Sequence, residues 1–281
     1  MNKEKDGQYF PAGQFQECLR TERIARQVLW KEEIDSTNNW AREYAGSRIW
    51  MEKGTDPDGT LFVAEKQTAG KGRQGRVWTS PPGKNIYMSL LLWKPEIRAL
   101  SASQLTLVMG LSVAQGMEAL TGRKAGIKWP NDVVFSGKKI CGILTEMRVQ
   151  EGKPEYIVIG AGINVNQTEF PPELQDKAAS VFLETGKKAD RTLGIARVME
   201  CFEKNYRKFL RTEDLSLLKE DYESLLLNKD RQVRIIEKKG QWQGIARGIN
   251  DQGELLVEDS YGNLKEILSG EVSVRGLYSY V

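Results

Sequence analysis

The chain has no histidine, only three cysteines and no long apolar run, and each shortage removes a class of function. Without histidine there is no imidazole general base, no Ser-His-Asp or Cys-His nucleophile system, and no supply of the commonest metal ligand. Any chemistry must therefore use lysine, arginine, carboxylates and positioning. Cys18, Cys141 and Cys201 are widely spaced and form no Cys-x-x-Cys pair, so neither a disulfide framework nor a zinc site is expected. No stretch approaches the roughly 20 apolar residues that span a bilayer, and Met1 to Gly7 lack the apolar core of a signal peptide. A cytoplasmic protein is expected. Charge of one sign is also lacking: 41 cations against 38 anions leave +3, too balanced for bulk nucleic-acid binding.

Glycine and local positive charge are what the chain does have. Gly70-Lys71-Gly72-Arg73-Gln74-Gly75-Arg76-Val77-Trp78 places three cations and three glycines in one loop after an apolar strand. Its Gly-x-Gly-x-x-Gly spacing matches the dinucleotide fingerprint, which requires a helix to follow. Here Thr79-Ser80-Pro81-Pro82-Gly83 follows, and cannot start one. The Gly70 to Gly75 spacing also fits a nucleoside-triphosphate loop, but Arg76 and Val77 stand where Lys and Ser or Thr are required. What remains is either a solvated basic turn or a cradle for a carboxylate or phosphate, its glycines admitting close backbone approach.

Residues 1–23 read as a polar tail or lead-in. Asp35-Ser36-Thr37-Asn38 supplies N-caps for a helix carrying Trp40, Ala41, Tyr44 and Ala45. Leu61 to Gln67 and Ile86 to Trp93 read as strands on either side of the glycine loop. Ser101-Ala102-Ser103-Gln104 has the form of a capping box before an apolar helix from Leu105 to Leu120, stopped by Gly122. Strand-like runs follow at 127–129, 133–135, 139–147 and 156–159, with gaps too short for parallel crossovers, which predicts a mainly antiparallel sheet and an α+β fold. Ile195, Met199, Phe202, Tyr206 and Phe209 form the stripe of an amphipathic helix. Five short strands beyond residue 228 suggest a small barrel. The expected organisation is a lead-in at 1–23, one domain at 24–228 and a second at 229–281.

Three further motifs stand out. Lys128-Trp129-Pro130-Asn131-Asp132 gathers a lysine, an amide and a carboxylate at a strand end. Gly137 to Glu146 carries Lys139 into an apolar strand together with Gly142, and a glycine inside a strand often marks close approach of a ligand. Gly160-Ala161-Gly162-Ile163-Asn164 runs small residues up to an asparagine.

In this order, the loop and these three motifs resemble the biotin protein ligases, which biotinylate the carrier domain of biotin-dependent carboxylases. Ser36-Thr37-Asn38, Gln67 and the ending Ser269 to Arg275 match as well, so the resemblance covers roughly residues 24 to 281. It implies a catalytic domain related to class II aminoacyl-tRNA synthetases and lipoate ligases, with a mainly antiparallel mixed sheet, followed by an SH3-like barrel. It implies that ATP, bringing Mg²⁺, activates biotin to biotinyl-5′-AMP with release of pyrophosphate, and that a carrier lysine then takes the biotinyl group. Catalytic roles fall to Arg73, Lys139 and Asp132. Biotin contacts fall to Ser36, Thr37, Asn38, Gln67, Gly70, Lys71, Gly72, Arg73, Lys139 and Gly142. Adenylate contacts fall to Arg73, Arg76, Trp78, Lys128, Asn131 and Asn164, with no metal site in the protein itself. Asp132 is open between a base toward the incoming lysine, an orienter of Lys128 and a partner of Mg²⁺.

Two departures from the usual family pattern are visible. Lys71 stands where arginine is more usual, which keeps the charge and loses the planar fork. Only about 25 residues precede the expected catalytic domain, too few for the three-helix DNA-binding unit many relatives carry, so no operator binding is expected, and the molecule is expected as a monomer or homodimer. The alternatives are a lipoate ligase, whose substrate lacks a ureido group, and a nucleic-acid-binding module.

Overall fold

The computed structural model describes residues 10–237, 240–269 and 273–276. In chain order these form α1 (Ala12–Cys18), β1 (Val28–Ile34), α2 (Thr37–Ser47), α3 (Ile49–Glu52), β2 (Leu61–Gln67), β3 (Ile86–Trp93), α4 (Leu105–Thr121), β4 (Gly126–Lys128), β5 (Asp132–Phe135), β6 (Lys138–Gln150) and β7 (Lys153–Ile163). Then come α5 (Val181–Thr185), α6 (Arg191–Thr212), α7 (Lys219–Glu223), β8 (Arg231–Glu237), β9 (Gly240–Ile249), β10 (Leu255–Glu258), β11 (Leu264–Ile267) and β12 (Ser273–Gly276).

Strands β1 to β7 make one sheet in the order β1-β2-β3-β7-β6-β5-β4. Only β1 and β2 run parallel, and their connection is long enough to carry α2 and α3 across the sheet. The other neighbours are antiparallel, so the sheet is mixed and mainly antiparallel as expected. Alternation along the strands sorts side chains to two faces. Phe62, Leu91 and Val158 meet Ala41, Tyr44 and Ala45 of α2 on one side. Leu61, Val63, Leu90, Leu92 and Ile159 face the other, where α4 and α6 pack together. Ile195, Met199, Phe202, Tyr206 and Phe209 are all buried there, and Gly122 ends α4 at φ 71°.

Two expectations change. The lead-in is not loose from Phe10 onward: α1 buries Phe15 completely, and Phe10 and Leu19 join the same core. Glu203 of α6 accepts the backbone N–H groups of Glu22, Arg23 and Ile24 at 2.8 to 3.0 Å, which locks this segment onto the helix. Polar composition hid three well-spaced apolar anchors. Nor do Ser101 to Gln104 form a capping box: residues 99–104 are already a 3₁₀ helix that runs straight into α4, and no side chain caps the junction.

The second sheet is antiparallel, in the order β11-β10-β9-β8-β12. Its outer strands β11 and β12 do not pair with each other among the described residues, so five strands of the expected small β unit are present without a closing ladder. Of the Ser269 to Arg275 ending, residues 270–272 lie outside the described residues. The two sheets share one continuous apolar cluster, with Val233, Ile235, Ala246, Leu255 and Val257 joining the core of the first. Trp129, 1 % exposed, donates its indole N–H to the carbonyl of Gly253 at 2.9 Å, and the backbone of Leu225 and Leu227 pairs with Ile127.

Candidate active site

The glycine loop is a short hairpin. Trp78 N–H donates to the Gly70 carbonyl at 2.8 Å, Lys71 bridges Val77, and Gly72 N–H donates to the Arg76 carbonyl at 2.7 Å. The turn at Arg73-Gln74-Gly75 needs φ of 56° at Gln74 and 74° at Gly75, the region in which glycine carries no Cβ penalty. Ladder and turn together explain why the stretch forms no helix. They also make it a defined arm carrying Lys71, Arg73 and Arg76.

This arm covers a cleft of about 1000 Å³. Ser36, Thr37, Asn38, Gln67, Lys71, Gly72, Arg73, Arg76, Trp78, Lys128, Asn131, Asp132, Lys139, Gly142 and Asn164 all line it. Gly70 is the exception among the sequence-derived candidates. It is buried beneath the neck of the hairpin, where a Cβ would fall 2.4 Å from the Trp78 carbonyl.

One end of the cleft is polar and neutral. The Gln67 amide oxygen accepts from the backbone N–H of Thr37 at 2.9 Å and from its hydroxyl at 3.2 Å. Asn38 is fully engaged by the protein. Its amide nitrogen donates to Glu146 and to the Leu144 carbonyl, while its oxygen accepts from the Ser89 hydroxyl at 2.6 Å. Gly160 makes room for it, since a Cβ there would collide with the Asn38 oxygen.

The floor is two glycines side by side. Gly142 of β6 and Gly162 of β7 are register partners, and the Trp78 ring rests on both. A Cβ on Gly162 would come within 2.5 Å of the indole, and one on Gly142 within 2.9 Å. The indole nitrogen is buried without a hydrogen-bond partner among the described residues.

The other end is cationic. Seven lining residues are lysine or arginine (Lys71, Arg73, Arg76, Lys128, Lys138, Lys139 and Lys177), against two carboxylates, Asp132 and Asp176. Lys139 Nζ lies 2.6 Å from Asp132 and 5.3 Å above the Trp78 ring. A bulge sets that geometry: the β5–β6 register shifts between Val133 and Val134, so Ile140 and Cys141 are both buried in succession and Lys139 is turned toward the cleft. Arg73 donates to Asn131 at 3.0 Å and to the carbonyl of Ser269, in the turn after β11. Burial lowers the Arg73 pKa from its ordinary value and the neighbouring Arg76 adds to this, while Asp132 opposes both; an arginine remains charged throughout. Lys71 is turned to Asn39 at 2.6 Å, and Arg76 to Gln74. Asn164 donates to the Ala179 carbonyl at 3.1 Å, holding the segment that closes the far wall with Phe170, Leu174 and Ala178.

Sequence reasoning missed several of these groups. Gly160 and Gly162 were visible as small residues but not as floor, because only the strand pairing shows what they face. Ser80, Ser89 and Glu146, which hold the polar end, carry no motif signal of their own. Phe170, Leu174 and Val274 reach the cleft from segments far apart in the chain.

The cleft thus has a neutral hydrogen-bonding end, a glycine floor and a cationic end beneath the hairpin arm, an arrangement that suits a small polar molecule lying beside an anionic one. The comparisons agree. Residues 31–164 match the biotin/lipoate A/B protein ligase family, and residues 230–275 match the biotin protein ligase C-terminal domain. The chain is 41 % identical over 258 residues to the bifunctional ligase/repressor BirA of Bacillus spizizenii, covering 91 % of this chain and 76 % of that protein. It is 34 % identical over 224 residues to the biotin–[acetyl-CoA-carboxylase] ligase of Mycobacterium tuberculosis, covering 78 % and 80 %. The solved biotin protein ligase of Aquifex aeolicus in complex with biotin and ATP superposes with a TM-score of 0.76 at 35 % identity, covering 89 % of this chain and 99 % of that one. The chain belongs to the biotin protein ligase family.

Proposed function

We propose that this cleft joins biotin to ATP and then to a lysine of a carrier protein, with the neutral end holding the ureido ring and the cationic end holding the reacting groups. The observation that carries the reading is the convergence of Arg73, Lys139 and Lys128 with the Thr37–Gln67 pair around one glycine floor. A ureido ring brings one carbonyl and two N–H groups, and burying them requires partners. Gln67 keeps one amide N–H as a donor and the Thr37 hydroxyl one lone pair as an acceptor for it, and Asn38 shapes the wall. Ser36, Gly70 and Gly72 contribute backbone and room.

In the first step the biotin carboxylate oxygen attacks the α-phosphorus of ATP and the bond to the bridging oxygen breaks, releasing pyrophosphate. Two anions must meet, so cations have to offset their repulsion. Lys139 and Arg73 face that meeting point from opposite sides, one on a strand and one on the arm. Arg76, Lys128, Asn131 and Asn164 serve the nucleotide, with Trp78 as its apolar face. Mg²⁺ arriving with ATP would offset the triphosphate charge, held mostly through phosphate and water. Asp132 and Asp176 are the lining carboxylates able to complete its ligands. In the second step the carrier lysine's neutral amine attacks the acyl carbon, AMP leaves, and the amine's proton is lost to solvent or to Asp132. The Lys139–Asp132 contact supports a first role for Asp132 in orienting Lys139. Closing the arm keeps water from the adenylate until the carrier docks. Residues 229–281 act as a second unit whose Ser269 turn steadies Arg73.

Pyrophosphate exchange into ATP, driven in parallel by biotin and by lipoate, tests the assignment. Exchange with biotin alone is expected, and exchange with lipoate alone would overturn it.

A further inference from the structure

The neck of the arm and the neutral end of the cleft share a single hydroxyl. Gln67 Nε2 donates to Ser80 Oγ at 3.0 Å, and Ser80 Oγ donates onward to the Trp78 carbonyl at 3.1 Å. That carbonyl belongs to the residue whose N–H closes the hairpin on Gly70. Ser80 is only 7 % exposed. Gly70 leaves the space in which the three groups meet, because a Cβ there would lie 2.9 Å from Ser80 Oγ and 3.0 Å from Gln67 Nε2 as well as against the Trp78 carbonyl.

We infer that Ser80 is a positioning residue that couples occupancy of the neutral end, through Gln67, to the setting of Trp78 and the arm over the nucleotide end. This rests on the reading of the neutral end as the ureido site. Thr37 donates twice to the amide oxygen of Gln67, which sets the side of the amide that faces the cleft and leaves one N–H for a ligand. A ligand carbonyl taking that N–H holds the amide plane and keeps Ser80 as acceptor of the other. A serine hydroxyl has one proton, and with its lone pair engaged by Gln67 that proton goes to the Trp78 carbonyl. The neck is then fixed, and with it the indole on Gly142 and Gly162 and the cations that hang from the hairpin. By linkage, the nucleotide must strengthen acid binding by the same factor through the same hydroxyl.

Calorimetric titration of the full chain with biotin and with α,β-methylene-ATP, whose α–β bridge is not displaced, measures this factor in both directions. Biotin should tighten the nucleotide analogue in the wild type. In Ser80→Ala the factor should fall roughly three- to tenfold, the worth of one hydrogen bond, while biotin alone binds within about threefold of wild type, the change expected where no direct contact is lost. Ser80→Thr, which keeps the hydroxyl, should retain most of the factor. A Ser80→Ala protein with wild-type near-ultraviolet dichroism and an unchanged factor would overturn the inference, as would equal loss in Ser80→Thr. Wild-type protein that binds the nucleotide analogue but no biotin would instead overturn the ureido reading itself.

Discussion

Lys139 and Asp132 are an ion pair, 2.6 Å apart, that the cleft holds partly buried on adjacent strands, with the Trp78 ring beneath the ammonium. The bulge that creates the pair sits beside the glycine floor. On the proposed function, a substrate phosphate would meet a lysine already aimed and restrained, with little reorganisation left for the reaction.

Removing that lysine should be costly to chemistry and cheap to folding. Lys139→Ala is expected to lower the rate of adenylate formation by about 10² or more, the usual range for one preorganised charge donor. Arg73→Ala is expected to do the same and also to free the Ser269 turn. Asp132→Asn should cost less, because the cation stays. Single-turnover pyrophosphate release measures all three; wild-type rates in Lys139→Ala and Arg73→Ala would show the reacting groups to lie elsewhere.

The floor makes a geometric prediction. Gly162→Ala puts a Cβ within 2.5 Å of the indole, and β7 is too firmly paired on both sides to yield. Trp78 must move instead. Its fluorescence should shift toward the solvent-exposed wavelength, and nucleotide affinity should fall by about tenfold or more, since roughly 1.4 kcal/mol of lost contact gives that factor. Unchanged emission together with unchanged affinity would mean the ring does not rest there in solution.

At the neutral end, Gln67→Leu leaves the shape of the site nearly intact and removes its donor and acceptor. A ligand ureido carbonyl would then lose the amide N–H that it takes from Gln67. The KM for biotin should rise by roughly 10- to 100-fold, in line with a buried polar group left unsatisfied, with a smaller effect on the KM for ATP. Steady-state carrier biotinylation distinguishes the two.

Glu203 predicts a pH dependence of stability. Desolvation by burial acts to raise its pKa, but the three backbone donors of residues 22–24 and Arg207 outweigh it, so the folded pKa lies below the ordinary 4.5. The unfolded chain thus takes up a proton first as pH falls. The stability Glu203 contributes is complete above its unfolded pKa and is lost as pH drops from there through the folded value. Glu203→Gln should be less stable than wild type at pH 7, by about 1 to 3 kcal/mol, and the gap should narrow below pH 4.5. Urea denaturation at pH 7 and pH 3.5 checks this; a constant gap would contradict it.

Much of this was legible from residue patterns. The α4 and α6 stripes announced themselves because an amphipathic helix repeats its apolar contacts locally. Short gaps between the strands after residue 126 excluded parallel pairing, and only the early β1–β2 pair, separated by two helices, runs parallel. Cleft residues with charge or amide groups were found because their motifs bring several such groups together. What escaped was relational. Nothing local distinguishes Gly162 from a glycine of a plain strand until Gly142 and Trp78 are set against it. Ser80 looks like a turn residue before two prolines, and its bond to Gln67 spans a hairpin. Phe10, Phe15 and Leu19 were diluted by polar neighbours, and their burial depends on α6, far along the chain.

The shared core has a further consequence. Trp129 stands immediately before the Pro130-Asn131-Asp132 edge of the cleft, and its ring is pinned to Gly253, whose own backbone packs against Leu107 and Leu215. The small sheet is therefore no detachable module. Cutting the chain after Asn228 would strip the cover from one wall of the reaction site, and heating the intact chain should melt both sheets in one calorimetric transition. Through that shared core, a substitution in the small sheet reaches the cleft wall even where the residue it alters lines no part of the cleft.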